Sequence, residues 1–208
     1  MSFLLILLAA SLIALSPGPG SFYVAARTLA GGRAEGLASS VGTGMGGLVH
    51  VVAGAIGVSA LVMASAEAFT ILKIAGALYL VWLGIKTIRQ SGDSLQPATV
   101  ARSGAARAFR EGIVVEALNP KTAAFLLAFL PQFVDPAAGP VWLQFVVLGT
   151  ISVVLNTAVD FGVVFLAAKA RTLATSRPSL LRHLRQGSGA MIAALGVALL
   201  FARRPVAS

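Results

Sequence analysis

Cysteine is absent from this chain of 208 residues, and that one absence excludes disulfides, thiolate metal sites and a cysteine nucleophile. Histidine is nearly absent too: with only His50 and His183, no metal site and no cofactor is expected. Charge is scarce. Asp, Glu, Lys and Arg make up 11% of the residues, against about a quarter in soluble domains. A hydrophobic content of 57% and a mean hydropathy of +0.89 exclude an ordinary soluble domain and define an integral membrane protein. The formal charge of +9 is no nucleic-acid footprint, because the basic residues fall in short runs between apolar segments, with no stacking aromatics among them.

Missing residues bear on catalysis as well. An intramembrane aspartyl protease needs a second membrane-embedded Asp, and an intramembrane serine protease needs a Ser and His pair in supporting motifs. Neither is visible, so no enzyme is expected. Gly42-Thr43-Gly44-Met45-Gly46-Gly47 satisfies G-x-G-x-x-G, but the dinucleotide fingerprint needs a preceding strand and a soluble helix. Here it opens an apolar segment, where close helix packing explains it better.

What the chain does have is six apolar segments: Phe3 to Ala26, Leu37 to Met63, Ile71 to Ile88, Ile113 to Phe133, Val141 to Ala168 and Gly187 to Ala202. Each approaches the roughly 20 residues of a membrane helix, although the last is short. No Lys or Arg precedes Arg27 and hydrophobicity continues through Tyr23-Val24-Ala25-Ala26, so the start reads as a first span and not a cleaved signal. Twelve basic residues lie in alternate connections: Arg27 and Arg33; Lys86, Arg89, Arg102, Arg107 and Arg110; Lys169, Arg171, Arg177, Arg182 and Arg185. The connections around Glu67 and Asp135 have none. Basic residues favour the cytoplasmic side, which puts both termini outside, in the periplasm; Arg203 and Arg204 argue weakly against this. A single membrane domain, 1–208, is expected, with a cytoplasmic loop over 91–111.

Two turn motifs interrupt this pattern. Ser16-Pro17-Gly18-Pro19-Gly20 and Leu118-Asn119-Pro120-Lys121 sit inside the first and fourth apolar segments, where proline removes a backbone donor and breaks a helix. The predicted fold is therefore all-α, with six transmembrane helices as two inverted three-helix repeats, 1–90 and 112–208, whose first and fourth helices are broken. Pro17 pairs with Pro120, Gly42-Thr43 with Gly149-Thr150, and Gly76-Ala77-Leu78 with Gly189-Ala190-Met191 in the same order along both halves. Chance in a Gly- and Ala-rich chain is the competing account of those matches. Broken helices at corresponding places in inverted repeats point to a transporter's binding site.

The two turn motifs, the Gly-rich second segment, Leu72-Lys73-Ile74-Ala75-Gly76-Ala77-Leu78-Tyr79-Leu80 and Leu130-Pro131-Gln132-Phe133 together resemble the LysE/RhtB family of bacterial amino-acid exporters. The resemblance runs over nearly the whole chain. It implies a six-helix inner-membrane secondary transporter that exports amino acids or their derivatives by proton antiport, often as a homo-oligomer. It leaves the substrate open, because members differ widely in what they export.

The residues support a site independently. Half-helices starting at Pro19 and Pro120 bring two partially positive N-termini together, suited to an α-carboxylate. Gly18 and Gly20 permit close approach, Ser16 and Asn119 offer short polar caps, and Lys121 adds a cation; the alternative is ordinary proline kinks with Lys121 snorkelling to the cytoplasmic face. Asp160 is an acid well inside an apolar segment, and Asn156 lies one turn earlier on its face. Asp160 can receive a substrate ammonium or carry the coupling proton; the structural alternative is a pair with Lys121 or His50. His50 lies on the Gly42, Gly46 and Gly54 face and is either a second proton carrier or a hydrogen-bonded packing residue. Glu67, Lys73, Glu111 and Glu116 are placed near segment ends. A passive channel, an exporter of another solute or of a cation, and a structural membrane protein are the rival readings.

Overall fold

The computed structural model describes residues 3–64, 66–89 and 103–173 and, nearer the C-terminus, residues 186–187, 190, 192–194, 196–197 and 200–201. Residues 91–102 of the expected loop, and Arg177, Arg182, Arg185, Arg203, Arg204, Gly189 and Met191, lie outside the described residues. All regular structure among the described residues is helical. Helix α1 (Phe3–Leu15) is followed after a break by α2 (Pro19–Gly31), then by α3 (Arg33–Ala64) and α4 (Ala66–Arg89). Helix α5 (Ala105–Ala117) is followed by α6 (Pro120–Ala124), which runs on through a π turn (Phe125–Phe129) and a 3-10 turn (Leu130–Phe133), and then by α7 (Val141–Leu173).

The two proline motifs mark the two sharp bends. Leu7–Leu15 meets Pro19–Gly31 at 48°, and Ala105–Ala117 meets Pro120–Phe133 at 44°. In each case proline takes a first-turn position, where its missing N–H costs nothing. Helices α3 and α7 contain the stretches Arg33–Gly57 and Val141–Lys169, long and apolar enough to cross a membrane; each bent pair passes the same test if taken as one span. Two details differ from expectation. The helix of α5 begins at Ala105, so the last seven residues of the expected 91–111 loop are helical. The segment after Pro120 holds α geometry for only five residues, because Pro131 has no N–H to return to the preceding turn, and the chain widens before it and tightens after it.

Polarity is inverted relative to a soluble protein. Leu8, Ile56, Ile71, Leu166 and Phe201 are exposed, while Ser39, Ser40, Thr43, Asn119 and Asp160 are buried. An outside of this kind suits lipid. Helix α3 lies between α5 and α7, and its glycines let it do so. A Cβ on Gly42 or Gly46 would collide with the backbone carbonyls of Phe109 and Ile113, and one on Gly112 would come within 2.7 Å of the Ser39 carbonyl. Gly44 and Gly47 face Thr157 and Val153 of α7 in the same way. This is small-residue packing, as the glycine spacing predicts.

At one end, charge ties α2, α3 and α5 together. Arg27, expected as a headgroup anchor, is instead buried. Its guanidinium lies over the Tyr23 ring, pairs with Glu111 and stands 3.9 Å from Glu35. Glu35 Oε1 accepts the N–H groups of Ser103 and Gly104, 3.1 and 2.9 Å away, and so caps the start of α5 from another helix. Arg107 closes the network on Glu111 at 2.7 Å.

Gly42→Val should lower the stability of the folded protein by about 1–3 kcal/mol, the usual cost of overpacking, because the Phe109 backbone cannot move aside. Thermal unfolding in detergent should show this drop. Gly57→Val, where a Cβ meets nothing within 4 Å, should leave the midpoint unchanged.

Candidate functional site

The two bends face each other. Lys121, in the first turn of α6, is 4% exposed and reaches across to the end of α1. There its ammonium donates to the Ser16 carbonyl at 2.7 Å and the Ile13 carbonyl at 3.2 Å. Lys121 does not snorkel to the surface here: it caps the Ser16 carbonyl and adds a second bond to the Ile13 carbonyl, which Pro17 cannot serve and which also accepts the Ser16 N–H at 3.2 Å. Gly18 is what admits it, since a Cβ there would sit 3.1 Å from both Cε and Nζ of Lys121.

The caps divide differently from expectation. Asn119 does cap α6, its side-chain oxygen accepting Lys121 N–H at 3.0 Å. At α2, however, the cap position belongs to Gly18 and not Ser16, with extended backbone and no side-chain bond. Ser16 is fully buried and contributes its carbonyl.

Glu116 was placed near a segment end by sequence but is 3% exposed. It shares the inner face of α5 with Ala108 and Gly112. Its carboxylate accepts from Asn119 Nδ2 at 2.9 Å and from Thr122 Oγ1 at 2.5 Å, and it lies so close to Gly20 that a Cβ there would collide with it. The Glu116 carbonyl, released by the second break, accepts the Asn119 N–H and a bond from His50 Nε2, both at 2.9 Å. A carbonyl only accepts, so Nε2 carries the proton.

Asp160 is fully buried. It is bonded to neither Lys121 nor His50: Ser21 Oγ donates to Oδ1 at 2.8 Å, and Thr43 Oγ1 lies 3.2 Å from Oδ2. Asp160 thus joins α7 to α2 and α3.

A cavity of about 30 Å³ opens where these elements meet, lined by the polar residues Thr43, Glu116, Lys121, Thr122, Ser152 and Asn156 and by apolar Phe125 and Leu126. That is room for about two waters, less than an amino acid needs. Of the residues singled out from sequence, Lys121 and Asn156 line it. Gly18 and Gly20 flank it through Lys121 and Glu116. Pro17, Pro19 and Pro120 shape the bends, His50 packs behind Glu116, and Asp160 stands one hydroxyl away, behind Thr43. Glu116, Thr43, Thr122 and Ser152 were not foreseen. The i, i+4 spacing of Ala108, Gly112 and Glu116, small residues leading to an acid, was the available signal.

Residues 11–203 match the family described as LysE type translocator. Similar relatives include an uncharacterized membrane protein of Vibrio cholerae, 35% identical over 95% of each chain. A homoserine/homoserine lactone efflux protein of Salmonella typhimurium is 34% identical, again over 95% of each. A leucine efflux protein of Klebsiella pneumoniae is 28% identical over 71% of this chain and 70% of its own. No solved structure gives a significant match.

Lys121→Met should destabilise the fold, because it keeps the stem and removes the ammonium from the Ser16 and Ile13 carbonyls, at about 0.5–3 kcal/mol in all, since the Ile13 carbonyl keeps the Ser16 N–H. The thermal midpoint in detergent should fall accordingly, and an unchanged midpoint would mean the α1 carbonyls find other partners.

Proposed function

The chain belongs to the LysE type translocator family, and on that premise we propose that it exports amino acids or amino-acid derivatives across the inner membrane in exchange for protons. The observation that carries this reading is the meeting of two proline bends over one polar cavity, with Lys121 of the second bend seated on the first. Similarity to proteins named for homoserine and leucine efflux adds the substrate class. Each bent pair crosses the bilayer as one broken span, in two inverted repeats, and the run of basic residues in alternate connections puts both termini in the periplasm. The cavity, too small for an amino acid, belongs to a closed state, and transport opens it to each side in turn.

Lys121 and the uncapped first turn of α2, with Ser16, Gly18 and Gly20 around it, receive the carboxylate. Asp160 carries the proton. Its partners are hydroxyls, which donate to a carboxylate or accept from a carboxylic acid, so both protonation states stay hydrogen-bonded. A fixed cation in their place would hold the anion. His50 serves the packing of the α5 end.

Cells overproducing the protein and fed leucine- or homoserine-containing dipeptides should retain less of the free amino acid and release more to the medium than cells without it. No difference for any amino acid or analogue would overturn the assignment. In inside-out vesicles, uptake should follow an imposed pH gradient and collapse in Asp160→Asn at normal abundance. Full gradient-driven uptake by that variant would remove Asp160 from the coupling step.

A further inference from the structure

Two opposite charges line the central cavity without touching each other. Glu116 and Lys121 are both buried and both face it, yet no ion pair joins them, although pairs of up to 3.9 Å occur elsewhere among the described residues. Each has part of its bonding capacity committed to holding the bends. Lys121 uses two of three ammonium donors on Ile13 and Ser16. Glu116 uses two of about four acceptor positions on Asn119 and Thr122. What remains is a free donor on a cation and free acceptor positions on an anion, on the walls of one cavity.

Buried charges are ordinarily paired, because an unpaired one is costly in an apolar surrounding. A cation and an anion that line one cavity without pairing are completed by a ligand carrying both signs. An α-amino acid is that ligand: its carboxylate meets Lys121 and its ammonium meets Glu116. Asp160 does not fill this role, since it lies outside the lining, behind Thr43.

We infer that Glu116 is the specificity-determining residue that receives the substrate's α-ammonium, so that the cavity selects ligands whose α-ammonium is free. This rests on the export reading above and adds a residue and a selectivity to it. The side chain of the substrate then lies toward Phe125 and Leu126, which accept an apolar chain, with Ser152 and Asn156 available to a hydroxyl. Glu116 has a second task, holding Asn119 and Thr122. Its test must therefore separate binding from folding.

The test measures leucine and its 2-hydroxy analogue, 2-hydroxy-4-methylpentanoate, in vesicles of wild type, Glu116→Gln and Glu116→Asp. The analogue keeps the carboxylate and side chain and replaces the ammonium by a hydroxyl. Wild type should prefer leucine by about 10- to 100-fold, the range for a charge-assisted hydrogen bond. Glu116→Gln, which keeps an acceptor and a donor for Asn119 and Thr122, should bring that ratio to near one. Glu116→Asp should restore part of it. A purely structural role would lower both rates together and leave the ratio intact, which would overturn the inference. Should Glu116→Gln fail to reach the membrane, competition on wild type decides: N-acetyl-leucine should not inhibit leucine transport, and equal inhibition by the blocked and free forms would overturn it. Wild-type vesicles that move no amino acid would instead defeat the export reading itself.

Discussion

A sharp bend in an apolar helical stretch frees carbonyls from their helical partners, and the packing around both bends follows from how those groups are satisfied. Each bend satisfies its own only in part, through Ser16 N–H on the Ile13 carbonyl and Asn119 N–H on the Glu116 carbonyl. The end of α1 is capped by Lys121 from the second bend, and the end of α5 is capped by His50 from α3. The α1–α2 bend therefore cannot change without disturbing the first turn of α6. Two features that are about a hundred residues apart in the chain are thereby joined, as the proposed transport site requires.

Much of this was legible before any coordinates. Proline inside an apolar run has few meanings, so Pro17 and Pro120 marked the bends, and Asn119 immediately before proline marked a cap. The glycines of α3 announced close packing because their spacing repeats at one helical turn. Depth was harder to read. Glu116 lies three residues before a break and looked like a residue within reach of headgroups, since distance from a segment end is only a proxy for depth when the helix bends there. Arg27 looked like a topogenic charge because the positive-inside bias sums charges without asking where each side chain goes. Its burial depends on Glu35 and Glu111, 8 and 84 residues away in the chain, a coincidence no local pattern encodes.

The chain holds two buried charge systems of different character. In the Arg27 network each charge has an opposite partner or backbone donors, and α2, α3 and the start of α5 are fastened by it. In the centre, Glu116 and Lys121 are hydrogen-bonded but kept apart, and Asp160 is held by hydroxyls alone. Lys121 and Glu116 each help to hold a bend, yet each keeps bonding capacity unspent on the cavity wall. Their separation is better understood as a vacancy for charge, whereas at the end of the bundle the charges stand against one another, even Glu35 Oε2, which has no hydrogen bond but lies 3.9 Å from Arg27.

That distinction bears on the energetics of exchange. A zwitterion adds no net charge to the central site, so loading and unloading it alter the local field little, and both of its charges are compensated at once against the lipid. A proton on Asp160 does change the net charge of the bundle interior. If one proton enters for each zwitterion that leaves, a single elementary charge crosses the membrane per cycle, and a potential of 100 mV contributes about 2.3 kcal/mol beside the pH gradient. On the proposed reading the neutral cargo sets selectivity and the charged counter-ion supplies the drive, and the two functions fall on separate acids, Glu116 on the cavity wall and Asp160 behind it.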